Sequence, residues 1–211
     1  MSSVDEEAVR RPRGRPRAFD REAALRRAME LFWAKGYDHC SMSDLVDAMG
    51  INSPSIYAAF GSKESLFREA LALYGKSEGA TAQDALQELV SGREAIKTML
   101  RRNVELFTCS GKPRGCMLIL GALNIGAEHE ELHVMLKKRR QAIAALVRKR
   151  LSKAAEEGEL PSSADISVLT ALCMTMLSGL SMQAHDCVPR AVLFSAIDMF
   201  VASLPFIDTT P

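Results

Sequence analysis

The stretch "SMSDLVDAMGINSPSIYAAF", Ser41 to Phe60, leaves a folding chain few options besides two short helices that cross at a glycine. Ser41 followed three residues later by Asp44 forms a capping box, with aspartate in the place usually held by glutamate. The helix it opens runs through Leu45 and Ala48 and stops at Gly50, a residue that enters left-handed backbone without steric cost. Asn52 caps the next helix. Pro54 is tolerated in its first turn, where the N–H groups lack intrahelical acceptors in any case. Leu45, Ile51, Ile56 and Phe60 are the apolar positions that lock the pair at a steep angle. Ile56 and Phe60 lie one turn apart and face inward, which leaves Ser53, Ser55, Tyr57 and Ala58 outward. A second helix held out by the first in this way can enter the roughly 12 Å wide major groove of B-DNA and set its outward side chains against base edges.

The flanking sequence supplies a body for this pair. Asp20 caps a helix with Leu25, Ala28, Leu31 and Phe32 on one side, closed by Gly36. Ser62 caps a longer helix bearing Leu66, Phe67, Ala70, Leu71 and Tyr74, which is expected to fray near Gly75 to Gly79. Lys63 adds a cation to the first turn of that helix, beside N–H groups able to hold a phosphate. The pattern divides the chain into a basic arm, 1–17, a helix-turn-helix unit, 18–78, and a larger helical unit, 79–211.

"ALRRAMELFWAKGYDHCSMSDLVDAMGINSPSIYAAFGSKESLFREALALY", Ala24 to Tyr74, resembles the DNA-binding domain of the tetracycline-repressor (TetR/AcrR) family. The family pattern places an aromatic after the first helix, a serine or threonine cap, a glycine turn, a tyrosine and phenylalanine on the second short helix, and a Lys-Glu pair opening the next. The sequence departs at Val46, where a small alanine is usual, at Asn52, where serine is common, and at Pro54, where glycine or lysine is frequent. The resemblance implies that Tyr57 and Lys63 grip phosphates, that Ser41 touches the DNA backbone, and that Ser53, Ser55 and Ala58 lie near the bases, with Asn52 also counted among the DNA-binding residues. It also implies a ligand-responsive repressor without catalytic activity or cofactor.

"RRPRGRPRAFD", Arg10 to Asp20, carries five arginines in its first eight residues, in a chain whose formal net charge is only +1. Its "PRGRPR" core looks like an AT-hook: Pro16 disfavours helix at Arg15, and Gly14 has no side chain to clash with a groove floor. Arg13, Arg15 and Arg17 are expected to follow a narrow A·T minor groove beside the reading helix.

Beyond the boundary, helices are expected at Gln83 to Leu89, Gly92 to Phe107, Glu130 to Ala155, Ser163 to Ala184 and Pro189 to Leu204. Strand signals are nearly absent, so the class is all-α. The last two helices are apolar almost all round, which calls for a second chain as cover. Leu169, Met176, Leu180, Val192, Ile197 and Phe200 are the expected dimer contacts, in the manner of the family's four-helix bundle. Phe107, Cys116, Met117, Leu120, Leu123, Met174 and Met182 are the expected lining of an effector pocket, since methionine-rich walls adapt to varied apolar guests.

Composition bounds the remaining readings. Hydrophobic residues make up 47% of the 211, enough for a globular core. The five cysteines, with no C-x-x-C pair, suggest neither a disulfide framework nor a zinc knuckle and fit a reducing cytoplasm. No leader or membrane span is expected from the apolar runs, of which Cys116 to Leu123 is among the longest. "HEELH", His129 to His133, matches the zincin pattern and offers a zinc hydrolase using His129, Glu130 and His133 as an alternative. An architectural A·T-rich DNA binder is another. Lys112 and Arg114 between Cys109 and Cys116 could lower a thiol pKa and create a redox sensor. "KKRR", Lys137 to Arg140, reads as a solvated helix face.

Overall fold

The computed structural model describes residues 19–89, 91–121 and 125–207, and every regular element among them is helical. The arm arginines Arg13, Arg15 and Arg17, and also Leu123, lie outside the described residues.

Helix α1, Arg21–Lys35, starts where the Asp20 carboxylate accepts from the N–H groups of Glu22 and Ala23, and it ends at Gly36, whose φ is 79°. Its buried face is Ala24, Ala28, Met29, Phe32 and Trp33, while Leu25 and Leu31 are half-buried. The buried stripe is therefore rotated from the expected one. The cause is double packing: α1 lies against α4, Lys63–Ser77, and also touches α7, Met117–Leu120.

Helices α2, Met42–Met49, and α3, Ser53–Phe60, form the crossing pair. Both halves of the Ser41–Asp44 capping box are present, and Gly50 takes the left-handed conformation at φ 68° and ψ 26°. The Asn52 side chain caps α3 with Pro54 in its first turn. Leu45, Ile56, Phe60, Leu66 and Phe67 close the small core. Phe32 and Phe67 meet edge to face at 5.0 Å, an arrangement the ring quadrupole favours.

Helix α5, Ala80–Glu88, begins three residues before its expected start, because the chain reverses at once: the Gly79 N–H donates back to the Tyr74 carbonyl. Helices α6, Gly92–Phe107, α8, Glu130–Glu156, α9, Ile166–His185, and α10, Arg190–Ser203, complete the larger half. Asp165 rather than Ser163 caps α9, accepting from the N–H groups of Ser167 and Val168. α6 packs against α5, α9 and α10, and α8 packs against α9.

The loop 108–116 ties the two halves together. The Trp33 indole N–H donates to the Gly115 carbonyl at 3.0 Å in a buried site, and Lys112 Nζ lies 2.6 Å from the Glu78 carboxylate. On the other side the Cys116 N–H donates to Ser181 Oγ at 2.9 Å and Arg114 donates to the Ala184 carbonyl at 3.2 Å. Gly115 has φ 79°, and a Cβ there would stand 2.9 Å from the Ser181 carbonyl oxygen. No other residue satisfies both the backbone and the contact.

Among the described residues one helix is long and apolar enough to cross a membrane. At 20 residues and a mean hydropathy of 1.5, α9 has the length and composition of a membrane-crossing helix. Its serines, threonines and glycine break the run in sequence without lowering the mean enough. In the fold, Leu169, Cys173, Leu177, Leu180 and Ala184 of α9 are buried within the chain, and the helix packs on α6 and α8.

Candidate nucleic-acid interface

Helix α3 is held rigidly from both ends. The Asn52 Oδ1 accepts from the Ser55 N–H at 2.9 Å, so the cap itself consumes the Asn52 acceptor. Arg21 donates to the Ala59 carbonyl near the end of α3 at 3.2 Å and pairs with Glu69 of α4 at 2.8 Å, while its guanidinium covers the Phe60 ring at 4.3 Å. Arg27 donates to the Met49 carbonyl at the end of α2 at 3.4 Å. These two arginines brace the C-terminal ends of both short helices. Sequence reasoning missed them, because Arg21 and Ala59 are 38 residues apart and no local pattern links them.

Ile56 and Phe60 are buried as expected, Tyr57 is 48% exposed, Pro54 and Ala58 are exposed, and Ser53 and Ser55 are half-buried. The outward surface of α3 is thus small and hydroxylated around one exposed phenol. Ser41 is exposed, with its hydroxyl engaged by Asp44, 2.7 Å from Oδ2. A hydrogen bond from Lys35, at 2.6 Å, and those from Ser41 hold the Asp44 carboxyl well below its usual range. Lys63 Nζ sits 4.4 Å above the Tyr37 ring, a contact that fixes the ammonium at the start of α4 while leaving its donors available.

The expected pocket residues do not gather around one cavity. A small enclosed void of about 30 Å³ lies between α4, α5, α6, α8 and α9, and Cys116 is the expected residue that lines it, together with Tyr74, Gln83, Met99 and Asn103. Phe107 and Met117 are buried, Leu120 packs beside Gly115, and Met174 is half-buried against the core. Met182 is 37% exposed. Its place on the outer turn of α9 removes it from that wall. The polar groups Tyr74, Gln83 and Asn103 went unnoticed because they come from three different helices whose meeting is purely tertiary.

Of the expected dimer residues, Leu169 and Ile197 point into the chain's own core, and Leu180 is also buried. Met176, Leu180, Val192 and Phe200 line an apolar groove of about 490 Å³ between α9 and α10, joined by Leu172 and Gly179. Val168, Leu172 and Met199 are large, exposed and apolar, and Val168 and Leu172 lie one turn apart on α9. The outward stripe was misphased because both helices are apolar on two opposite faces, so sequence periodicity does not separate the inner from the outer.

The "HEELH" segment does not assemble a zincin centre. His129 stands outside α8 at its N-cap position, and its Nε2 lies 3.2 Å from Asp38. The His133 Nε2 instead lies 3.2 Å from the Gly126 carbonyl oxygen. The two rings turn to different partners because a helical i, i+4 pairing requires both residues inside the helix. For Cys116 the thiol expectation is corrected in the same way: Lys112 pairs with Glu78 and Arg114 with a carbonyl, and burial pushes the Cys116 thiol up rather than down. Lys137, Lys138 and Arg139 are exposed, whereas Arg140 donates to the Leu118 carbonyl at 3.0 Å.

A model of the bacterial regulatory proteins of the tetR family matches residues 24–70, and a tetracyclin repressor-like C-terminal domain model matches residues 92–187. This chain belongs to the TetR family. The HTH-type transcriptional repressor ComR of Escherichia coli (strain K12) is 32% identical over 187 residues, covering 88% of this chain and 89% of that protein. A cysteine mutant of the TetR family transcriptional regulator CifR, complexed with 26-bp double-strand operator DNA, is 42% identical, with a TM-score of 0.86 over 91% of this chain and all of that one. A TetR transcriptional regulator from Rhodococcus sp. RHA1 is 36% identical, with a TM-score of 0.61 over 89% of this chain. The chain is therefore a DNA-binding transcriptional regulator, and the family is one of regulators rather than enzymes.

Proposed function

We propose that this TetR-family chain is a cytoplasmic repressor that binds a two-fold symmetric operator as a homodimer and releases it when a small-molecule effector is bound. One observation carries the reading: a braced α3 turns Pro54, Tyr57 and Ala58 outward with Ser53 and Ser55 half-buried beside them, while α9 and α10 leave an apolar groove uncovered. Ser53, Ser55 and Ala58 read base edges, with Asn52 setting the pitch of the helix through its cap. Tyr57, Lys63 and Ser41 hold phosphates on either side. Arg13, Arg15 and Arg17 of the arm add minor-groove and phosphate charge. The units are the arm at 1–17, the reading unit at 18–78 and the effector and dimer unit at 79–211.

A dimer through α9 and α10 fixes the distance between two α3 helices and makes the symmetry of the protein that of its site. The likeness to CifR, caught on its operator, supports the DNA role of the same fold. The void beside Tyr74, Asn103 and Cys116 lies next to α4, the helix that carries Lys63, so a guest that enlarges it bears directly on the reading unit. A differential affinity of about 1–3 kcal/mol between the two arrangements weakens operator binding roughly 5–150-fold.

Selection of bound duplexes from a random pool tests this reading. A repressor enriches one near-palindrome. Enrichment of A·T content without a palindrome supports an architectural binder and contradicts the proposal.

A further inference from the structure

The seam between the reading unit and the effector unit holds a second constellation that operator binding does not use. Asp38, in the turn between α1 and α2, meets Glu128 and His129 at the entry to α8, and one ligand atom from each lies within 4.8 Å of the other two. His129 Nε2 is 3.2 Å from Asp38 Oδ1 and 3.9 Å from Glu128 Oε1. Four-coordinate zinc with bonds near 2.0 Å places its ligand atoms about 3.3 Å apart. The imidazole and Asp38 already stand at that spacing, and the exposed Glu128 side chain has only to swing inward.

The surroundings fix the donors. The second oxygen of Asp38 accepts the Gly126 N–H, which leaves Oδ1 turned toward the imidazole. The His129 ring stands edge-on to Tyr37, with centroids 4.9 Å apart and planes at 82°. Such supporting contacts orient metal ligands. The charge balance is the independent observation. A cleft of about 230 Å³ is walled by Glu64, Glu128, His129, Glu130 and Glu131, with Asp38 at its edge. Among the described side chains around it, Arg68 pairs with Glu64 and Glu131 and Lys63 lies over Tyr37. Glu130 and Glu131 also share a neighbouring cleft with Lys138 and Arg139, so the uncompensated negative charge lies on the side of Asp38 and Glu128, where an added cation is favoured.

We propose that Asp38, Glu128 and His129 form a divalent transition-metal site, of the zinc class, that pins the α1–α2 turn to the start of α8. One imidazole and two carboxylates suit zinc rather than a thiolate-seeking monovalent metal or an all-oxygen calcium cage. The site differs from the zincin reading, since Glu130 and His133 take no part. It is also independent of how the operator is read.

Zinc titration of the full-length, tag-free, chelator-treated chain against a chromophoric competitor tests it. The expected result is one zinc per chain and a raised Tm, with His129→Gln and Glu128→Gln each weakening binding at least about tenfold and His133→Gln leaving it unchanged. Glu128 is exposed, so its variant folds and keeps the test open if the His129 variant does not. Cobalt in place of zinc gives visible d–d bands without a thiolate charge-transfer band, which separates this site from Cys109 and Cys187. Failure to bind zinc overturns the proposal. So does binding that survives both Glu128→Gln and His129→Gln, or a thiolate band in the cobalt form.

Discussion

The reading unit and the effector unit are built on opposite principles. In α1 to α4 every helix start carries a side-chain cap: Asp20, Ser41, Asn52 and Ser62 each accept from backbone N–H groups a few residues on. In the larger half only α6 and α9 are capped, by Ser91 and Asp165, whereas α5, α7, α8 and α10 have no such side-chain cap, and α9 and α10 leave an apolar groove uncovered. Local rules fix the first region, whereas packing against distant residues or another chain fixes the second. A short reading helix needs an orientation that no ligand disturbs, and capping gives it one at about 1 kcal/mol per start. A responsive unit needs alternative packings of similar energy, which tertiary contacts permit and caps do not.

The sharpest way to break this contrast is to charge the groove. Leu172→Asp combined with Val192→Asp is expected to leave the reading unit folded but monomeric, with operator affinity lower by about 10²–10⁴-fold through loss of bivalency. Sedimentation and fluorescence anisotropy measure the two effects, and a dimer that survives both charges removes the groove from the account. Next in size is the arm. Deleting residues 1–17 removes three phosphate-neutralising arginines from each arm and is expected to flatten the log–log salt slope of binding by roughly 2.7 per arm, about twice that for a dimer, read by anisotropy between low and moderate salt. An unchanged slope takes the arm out of the mechanism.

A cap deletion is expected to act on the reading unit more gently. Asp44→Asn loses both the charge facing Lys35 and part of the capping box, and is expected to lower the midpoint of thermal or denaturant melts. The sign with pH follows from the depressed Asp44 pKa. Its stabilising share is fully present above the ordinary carboxylate value of 3.8 and is lost as pH falls toward the lower folded value. The Asp44→Asn variant therefore shows a flatter acid limb than the parent. Smallest in energy is a labelling contrast that leaves the fold untouched. Cys40 is pushed up to about 11 and Cys173 to about 12 by burial, and Cys116 is raised for the same reason. A thiol reagent on the native chain should label the exposed Cys187 and the half-exposed Cys109 and spare the other three, as mass spectrometry of the peptides reports. Rapid labelling of Cys116 contradicts a closed wall at the small void.

The same contrast decides what could be read in advance. Ser41, Asp44, Gly50, Asn52 and Pro54 announce their structure over three or four residues, so the crossing pair and the outward set of α3 were legible. Gly92 to Phe107 was legible too, because its start, end and apolar period agree. The phase of α9 was not: Leu169 and Leu172 are both leucines, and only the presence of α6 and α8 on one side decides that the first is buried and the second exposed. Arg21 and Arg27 brace the reading helices through bonds to carbonyls, and any exposed helix offers such arginines. His129 belonged to a recognisable motif whose partners proved different: the start of α8 at Glu130 was legible, but Asp38, which meets the His129 ring, comes from a turn about ninety residues away that no local pattern links to it.

The central claim is that two chains hold two α3 helices at a fixed separation on one duplex. Native mass spectrometry of the full-length chain with its selected duplex tests it most directly. The account predicts complexes with an even number of chains per duplex and a site whose halves are related by two-fold symmetry. A single chain bound to one asymmetric half-site with full affinity would contradict it.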